Sequence, residues 1–151
     1  MKKIIILAIF AIAALNLNAK NDPTPDYITT EQGTFFYPNV KYGLTDFLVA
    51  KTSAGIKVKF NADEVKSYKL NGKVYERKNL IKDGEECSKC GFMQIITYRH
   101  GIYLYKQDEV NFNGRIGASY HLFKNGEYIM SVNESNYDYV MDFLNSRSTQ
   151  E

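Results

Sequence analysis

Tryptophan is absent from the chain, proline occurs three times, and cysteine and histidine only twice each. One cysteine pair supplies at most half of a zinc ribbon. Beyond the first nineteen residues, no apolar run is long enough to read as a membrane helix. There is no nucleophile elbow, no glycine loop built to cradle phosphate, and no helical metal-binding pair. Ser, His and Asp are present, but a catalytic triad is assembled in space and no linear spacing reveals one. An excess of positive charge is also lacking. The sequence has 19 Lys and Arg against 17 Asp and Glu. Two of the cations, Lys2 and Lys3, fall in the N-terminal leader, which leaves 17 against 17. The stretch Lys51 to Lys59 alternates charge with Ile56 and Val58, the pattern of a strand's solvated face, so nucleic acid is not an expected partner.

The leader itself is distinctive. Lys2 and Lys3 precede an apolar run from Ile4 to Leu15, followed by Asn16, Asn18 and the small Ala19. That three-part layout predicts a signal peptide over residues 1–19, cut after Ala19. Twelve apolar residues are few for a bilayer core of roughly 30 Å, so export with cleavage is expected over a retained anchor. No cysteine follows the run to carry a lipoprotein anchor. The expected location is exported, periplasmic or extracellular, with no stable membrane span after cleavage.

What remains is rich in Tyr, Phe, Val and Ile, which favours β structure. Residues 20–26, with Pro23 and Pro25, read as an extended tail. Residues 27–145 read as one β-rich domain, with lobes at 27–80 and 92–145, and residues 146–151 as a frayed end. Short strands are expected at Tyr27–Thr30, Thr34–Val40 (with Pro38 marking an edge or an early stop), Phe47–Thr52, Ile56–Phe60 and Val65–Leu70. Ile56, Val58 and Phe60 would face the core, and Asn61 would cap a single turn. Asn71-Gly72 and Asn125-Gly126 are strong hairpin signals, because both residue types tolerate the positive φ of a type I′ turn. The first sets Tyr68 opposite Tyr75. The second sets Phe123 opposite Tyr128 and Leu122 opposite Ile129.

Between these lies FMQIITY-RHG-IYLYK, residues 92–106, read as a central hairpin closed by Arg99-His100-Gly101 and apolar on both faces. Residues 78–91 and 107–117 read as polar, irregular intervals. Ser135 is placed to cap a C-terminal helix whose Tyr137, Val140, Met141 and Leu144 share one face. The fold class is α+β, mostly β. Antiparallel strands form a small barrel-like or curled sheet plus a hairpin-based sheet, with one C-terminal helix.

Three stretches, "ITTEQGTFFYPNV … FLVAKTSAGIKVKFNADEVKSYKLNGKVYERKNL", "FMQIITYRHGIYLYK" and "YHLFKNGEYIMSVNESNYDYVMDFL", together resemble a broad group of secreted, uncharacterised proteins of Gram-negative anaerobic and marine bacteria. The resemblance covers residues 27–145 and implies secretion and a β-rich fold. It carries no reaction, catalytic residues or cofactor.

Cys87-Ser88-Lys89-Cys90 is the only constellation with candidate chemistry. In an exported protein a lone pair is expected as a disulfide closing a tight loop. The alternatives are a redox motif, which wants a helix N-terminus after a strand, and a zinc site completed by His100 and His121, whose spacing is wrong for a finger. His100 reads more simply as an exposed hairpin tip, and His121 as packing beside Phe123 and Met130. Tyrosines on half-buried strands are ordinary packing before they are sugar platforms. Asn133-Glu134-Ser135 matches a glycosylation acceptor, but helix capping explains it better. The expected function is therefore a non-enzymatic binding or envelope-associated module without metal or cofactor, its partner an envelope protein or surface component. A thiol-disulfide or metal-handling protein using Cys87 and Cys90 is the alternative.

Overall fold

A computed structural model describes residues 24–43, 46–110 and 116–146. The leader expected over 1–19 lies outside these residues, as does the chain beyond 146. Strands account for 68% of the described residues, with one short C-terminal helix. The strands are β1 (Asp26–Thr30), β2 (Gly33–Tyr37), β3 (Asn39–Tyr42), β4 (Phe47–Lys51), β5 (Lys57–Asn61), β6 (Val65–Leu70), β7 (Lys73–Lys82), β8 (Glu85–Arg99), β9 (Ile102–Val110), β10 (Ile116–Lys124) and β11 (Glu127–Val132), followed by helix α1 (Tyr137–Asn145). They form an eight-stranded antiparallel sheet in the order β11-β10-β9-β8-β7-β6-β1-β2 and a three-stranded sheet β3-β4-β5, neither closed into a barrel. The chain packs as two compact units, one ending at Lys78 and the other starting at Asn79.

In the first unit, Pro38 is the point where the chain leaves β2, the last strand of the large sheet, for β3 of the small one. Proline has no N–H to give a ladder, so a strand boundary suits it. The aliphatic part of the core, Ile28, Val40, Leu48, Ala50 and Val65, is essentially inaccessible, and Tyr27 and Tyr68 are buried as well. Asp26, expected in the tail, instead opens β1 and is buried. Its carboxylate accepts the Val40 N–H at 3.2 Å and the Asn71 N–H at 2.9 Å, tying β1 to β3 and to the β6–β7 turn. In that turn Asn71 and Gly72 take φ of 50° and 78°. Tyr68 lies opposite Tyr75 as expected, and the two rings stack, centroids 4.7 Å apart and 10° from parallel. Ile56 departs from expectation: it precedes β5 and is 63% exposed.

In the second unit, the central hairpin turns on two residues rather than three. His100 and Gly101 have φ of 50° and 78°, and Arg99 pairs with Ile102. A bulge between Ile95 and Thr97 takes up the extra residue, so that Ile95 faces Tyr105 and Thr97 faces Leu104. A second bulge, between Leu122 and Phe123, keeps Phe123 opposite Tyr128 but sets Leu122 against Met130 instead of Ile129.

The polar interval expected at 78–91 is ordered strand. β7 continues to Lys82 and turns through Asp83-Gly84, with φ of 54° and 85°, into the fifteen-residue β8. Likewise β9 runs on to Val110 and β10 starts at Ile116, so most of the interval expected at 107–117 extends the ladder.

Helix α1 lays Val140 and Leu144 on Leu104 and Leu122, with Ile102, Val132 and Phe143 around them. Tyr137 is 52% exposed rather than part of that face. Asn136 stands at the N-cap, and Ser135 turns its hydroxyl to Asn133 Oδ1 at 2.6 Å. By strand alternation the other face of β9 and β10 carries Tyr105, Gln107, His121 and Phe123, all buried. Gln107 acts there as a short piece of strand. Its Oε1 accepts the Ile81 N–H at 2.8 Å, and its Nε2 donates to the Ile81 carbonyl at 2.9 Å.

Candidate functional site

A cleft of about 700 Å³ opens in the first unit between the β1–β2 turn, β2, and the end of β5. Alternation along β2 sends Phe35 and Tyr37 to one side, where they meet Phe60 of β5. The Phe35 and Phe60 rings lie 6.5 Å apart at a 35° tilt, and Tyr37 stands edge-on to Phe60 at 5.9 Å. Phe35 is 38% exposed, so this aromatic wall is only partly covered.

Polar groups rim the cleft. Thr30 closes β1, Glu31 and Gln32 form the β1–β2 turn, Lys59 comes from β5, and Asp63 and Glu64 come from the single 3-10 turn at Ala62–Glu64. That turn is fixed as expected, with Asn61 Oδ1 accepting the Asp63 N–H at 3.2 Å. Arg77 grips Asp63 twice, Nη2 to Oδ1 at 2.5 Å and Nη1 to the carbonyl at 3.1 Å. Glu31 pairs with Lys66 at 2.9 Å. Both of these rim carboxylates are thus ion-paired at the surface.

A second constellation lies on the β9–β11 strands of the other unit. His121, 2% exposed, has Ser119 Oγ 2.8 Å from Nε2 and Ser131 Oγ 3.0 Å from Nδ1. Ser119 is 2.6 Å from Glu109 Oε1, and Tyr128 OH is 2.9 Å from Ser131 Oγ. With the His121 ring neutral, these contacts set the direction of each hydrogen bond. An ionised Glu109 can only accept, so Ser119 donates to it and must accept from His121 Nε2–H. Nδ1 of the neutral ring then accepts from Ser131, which accepts from Tyr128. Burial pushes the His121 pKa below its ordinary value, opposed by the charge of Glu109, and so supports the neutral ring. Of the other titrating groups, Tyr27 is pushed up to about 12, chiefly by burial and secondarily by the charge of Glu76.

The cysteines do not form the expected disulfide. Both are free and lie within β8. Along a strand, residues three apart are separated by roughly 10 Å and point to opposite faces, whereas a disulfide needs Cα atoms within about 7 Å. Cys90 Sγ contacts Asn79 Oδ1 at 3.2 Å, and Cys87 Sγ contacts the Lys89 carbonyl at 3.8 Å. The histidines stand elsewhere. His100, exposed at its hairpin tip, has its ring 5.7 Å from that of Phe143, and His121 is held by the two serines. Among the described residues, no three His, Cys, Asp or Glu side chains are grouped to hold a metal ion.

No protein-family model, curated protein or solved structure matches the chain.

Of the cleft, the strand over Thr34–Val40 and the cap at Asn61 are visible in linear form. Phe60 belongs to another sheet, and its place opposite β2 is a tertiary fact. The serine chain around His121 had a faint signal: Ser119 and His121, two apart, share a strand face.

Proposed function

We propose that the chain is an exported, non-enzymatic binding module that engages a surface component of the cell envelope through the cleft beside β2. The observation that carries this reading is the partly uncovered Phe35–Phe60 wall, set among polar side chains of which two are locked by ion pairs. A cleft of about 700 Å³ falls within the usual size of small-ligand sites, roughly 300–1,000 Å³. Export rests on the leader layout, and mass spectrometry of the mature N-terminus tests it: the chain should begin at Lys20. For binding, a photo-crosslinking residue replaces Lys59 at the cleft in intact cells, with the same residue at exposed Glu127 as control. One reproducible adduct from position 59, absent from position 127, is the expected result. Identical patterns, or no adduct from either position, refute the reading.

One observation favours a second reading. Ser131, His121 and the Ser119–Glu109 pair stand in the order nucleophile, base, orienter. The binding module is preferred, because the Ser131 oxygen is already engaged by Tyr128. Labelling of Ser131 by a fluorophosphonate would reverse that preference.

A further inference from the structure

We infer that the cleft takes a neutral carbohydrate, with a sugar ring lying against the wall formed by Phe35 and Phe60. This deepens the binding reading and rests on it. A pyranose has an apolar face of C–H groups and an edge of hydroxyls, so its site needs an aromatic surface beside mixed donors and acceptors. Phe35 and Phe60, only 35° from parallel, offer the surface, and Tyr37 adds a ring that carries a hydroxyl. Around them are an amide at Gln32, a hydroxyl at Thr30 and a carboxylate at Glu64. A hydroxyl both donates and accepts, so it can use every one of these groups.

Charge narrows the class further. The lining brings three carboxylates, Glu31, Asp63 and Glu64, against one lysine, Lys59. The ion-pair partners Lys66 and Arg77 add two cations and close the local balance at three against three. A phosphate or a polycation finds no net attraction there. An alkyl chain would strip water from the polar rim without replacing its hydrogen bonds, which is unfavourable. A neutral polyhydroxylated ligand satisfies both halves of the cleft. Because Arg77 and Asn61 already hold the Asp63 turn, little ordering opposes its binding.

The mature chain is tested on an array of neutral and charged glycans, and by calorimetry and saturation-transfer NMR with the neutral oligosaccharides that score. At least one neutral oligosaccharide should bind, with saturation strongest at its ring C–H protons. Phe35→Ala should weaken binding by about tenfold, the loss expected for one stacked ring. Gln32→Ala, at an exposed turn that the fold does not need, should weaken it severalfold and guards against misfolding of the first variant. Binding that is unchanged in both variants overturns the assignment to this cleft. If no neutral glycan binds while position 59 still yields its adduct in cells, the sugar class is overturned and the binding module stands. If the adduct is also missing, both fall.

Discussion

Replacing Gln107 by alanine is the sharpest test of how the second unit is held. The side chain is 6% exposed and makes two hydrogen bonds with one residue, accepting the Ile81 N–H at 2.8 Å and donating to its carbonyl at 2.9 Å. Truncation strands a buried donor and a buried acceptor on β7. Each orphan costs about 1–3 kcal/mol, so the variant should lose about 2–6 kcal/mol. That is a large part of the 5–15 kcal/mol typical of a domain. With a urea slope of about 1–3 kcal/mol/M, the midpoint should fall by about 1 M or more. Amide exchange should locate the effect, with the Ile81 N–H losing protection before its neighbours on β7. Gln107→Glu separates the two bonds. It keeps an acceptor for the Ile81 N–H but turns a carboxylate oxygen toward the Ile81 carbonyl, so it should also destabilise. If Gln107→Ala unfolds within about 0.5 kcal/mol of the parent, the range of a neutral surface change, the pairing contributes nothing and this account of the unit is wrong.

Burial lowers the folded-state pKa of His121 below its ordinary value of 6.5, so the unfolded chain binds more protons in the interval between the two. That contribution is complete above about pH 6.5 and is lost as pH falls; urea midpoints across this range should drop toward acid, and His121→Gln should flatten the dependence. Nitrogen NMR of the ring should find the proton on Nε2, and a proton on Nδ1 would break the chain from Tyr128 to Glu109. Thiol titration of purified protein without reductant should count both Cys87 and Cys90 as reactive, whereas a mass lower by two hydrogens would require β8 to be misread. Gly72→Ala should cost about 1–2 kcal/mol through its φ of 78° alone, since a new Cβ there meets nothing within 4 Å. Gly91→Ala differs in kind: its Cβ would sit 2.8 Å from Leu80 Cδ2, the tip of a flexible side chain that can move aside, so a smaller loss in thermal unfolding is expected.

The two bulges mark where linear reading stops. Strand existence and the Asn-Gly turns depend on φ preferences and side-chain alternation, which each residue carries with it. Register depends on both partners at once. At Ile95–Thr97 and Leu122–Phe123 one strand holds an extra residue, and only the opposing strand reveals which one. Lys82-Asp83-Gly84-Glu85 carried an Asp-Gly signal as good as the Asn-Gly ones, yet the charges around it read as a loop. Exposed ladder strands carry charge as readily as loops do. Taking residues 78–91 as irregular also made a Cys87–Cys90 ring look feasible, and the extended backbone of β8 removes it.

By itself the sequence determined an antiparallel, mostly β chain with tight turns at Asn71-Gly72 and Asn125-Gly126 and a C-terminal helix burying Val140 and Leu144. Those features follow from local backbone preference and from the periods of two and 3.6. It takes the folded chain to set β3–β5 apart as a second sheet, to bring Phe60 against Phe35 and Tyr37, and to join Glu109, Ser119, His121, Ser131 and Tyr128 in one hydrogen-bonded line. These are contacts between segments distant along the chain, set by how strands stack and pair, and no single stretch of sequence contains them.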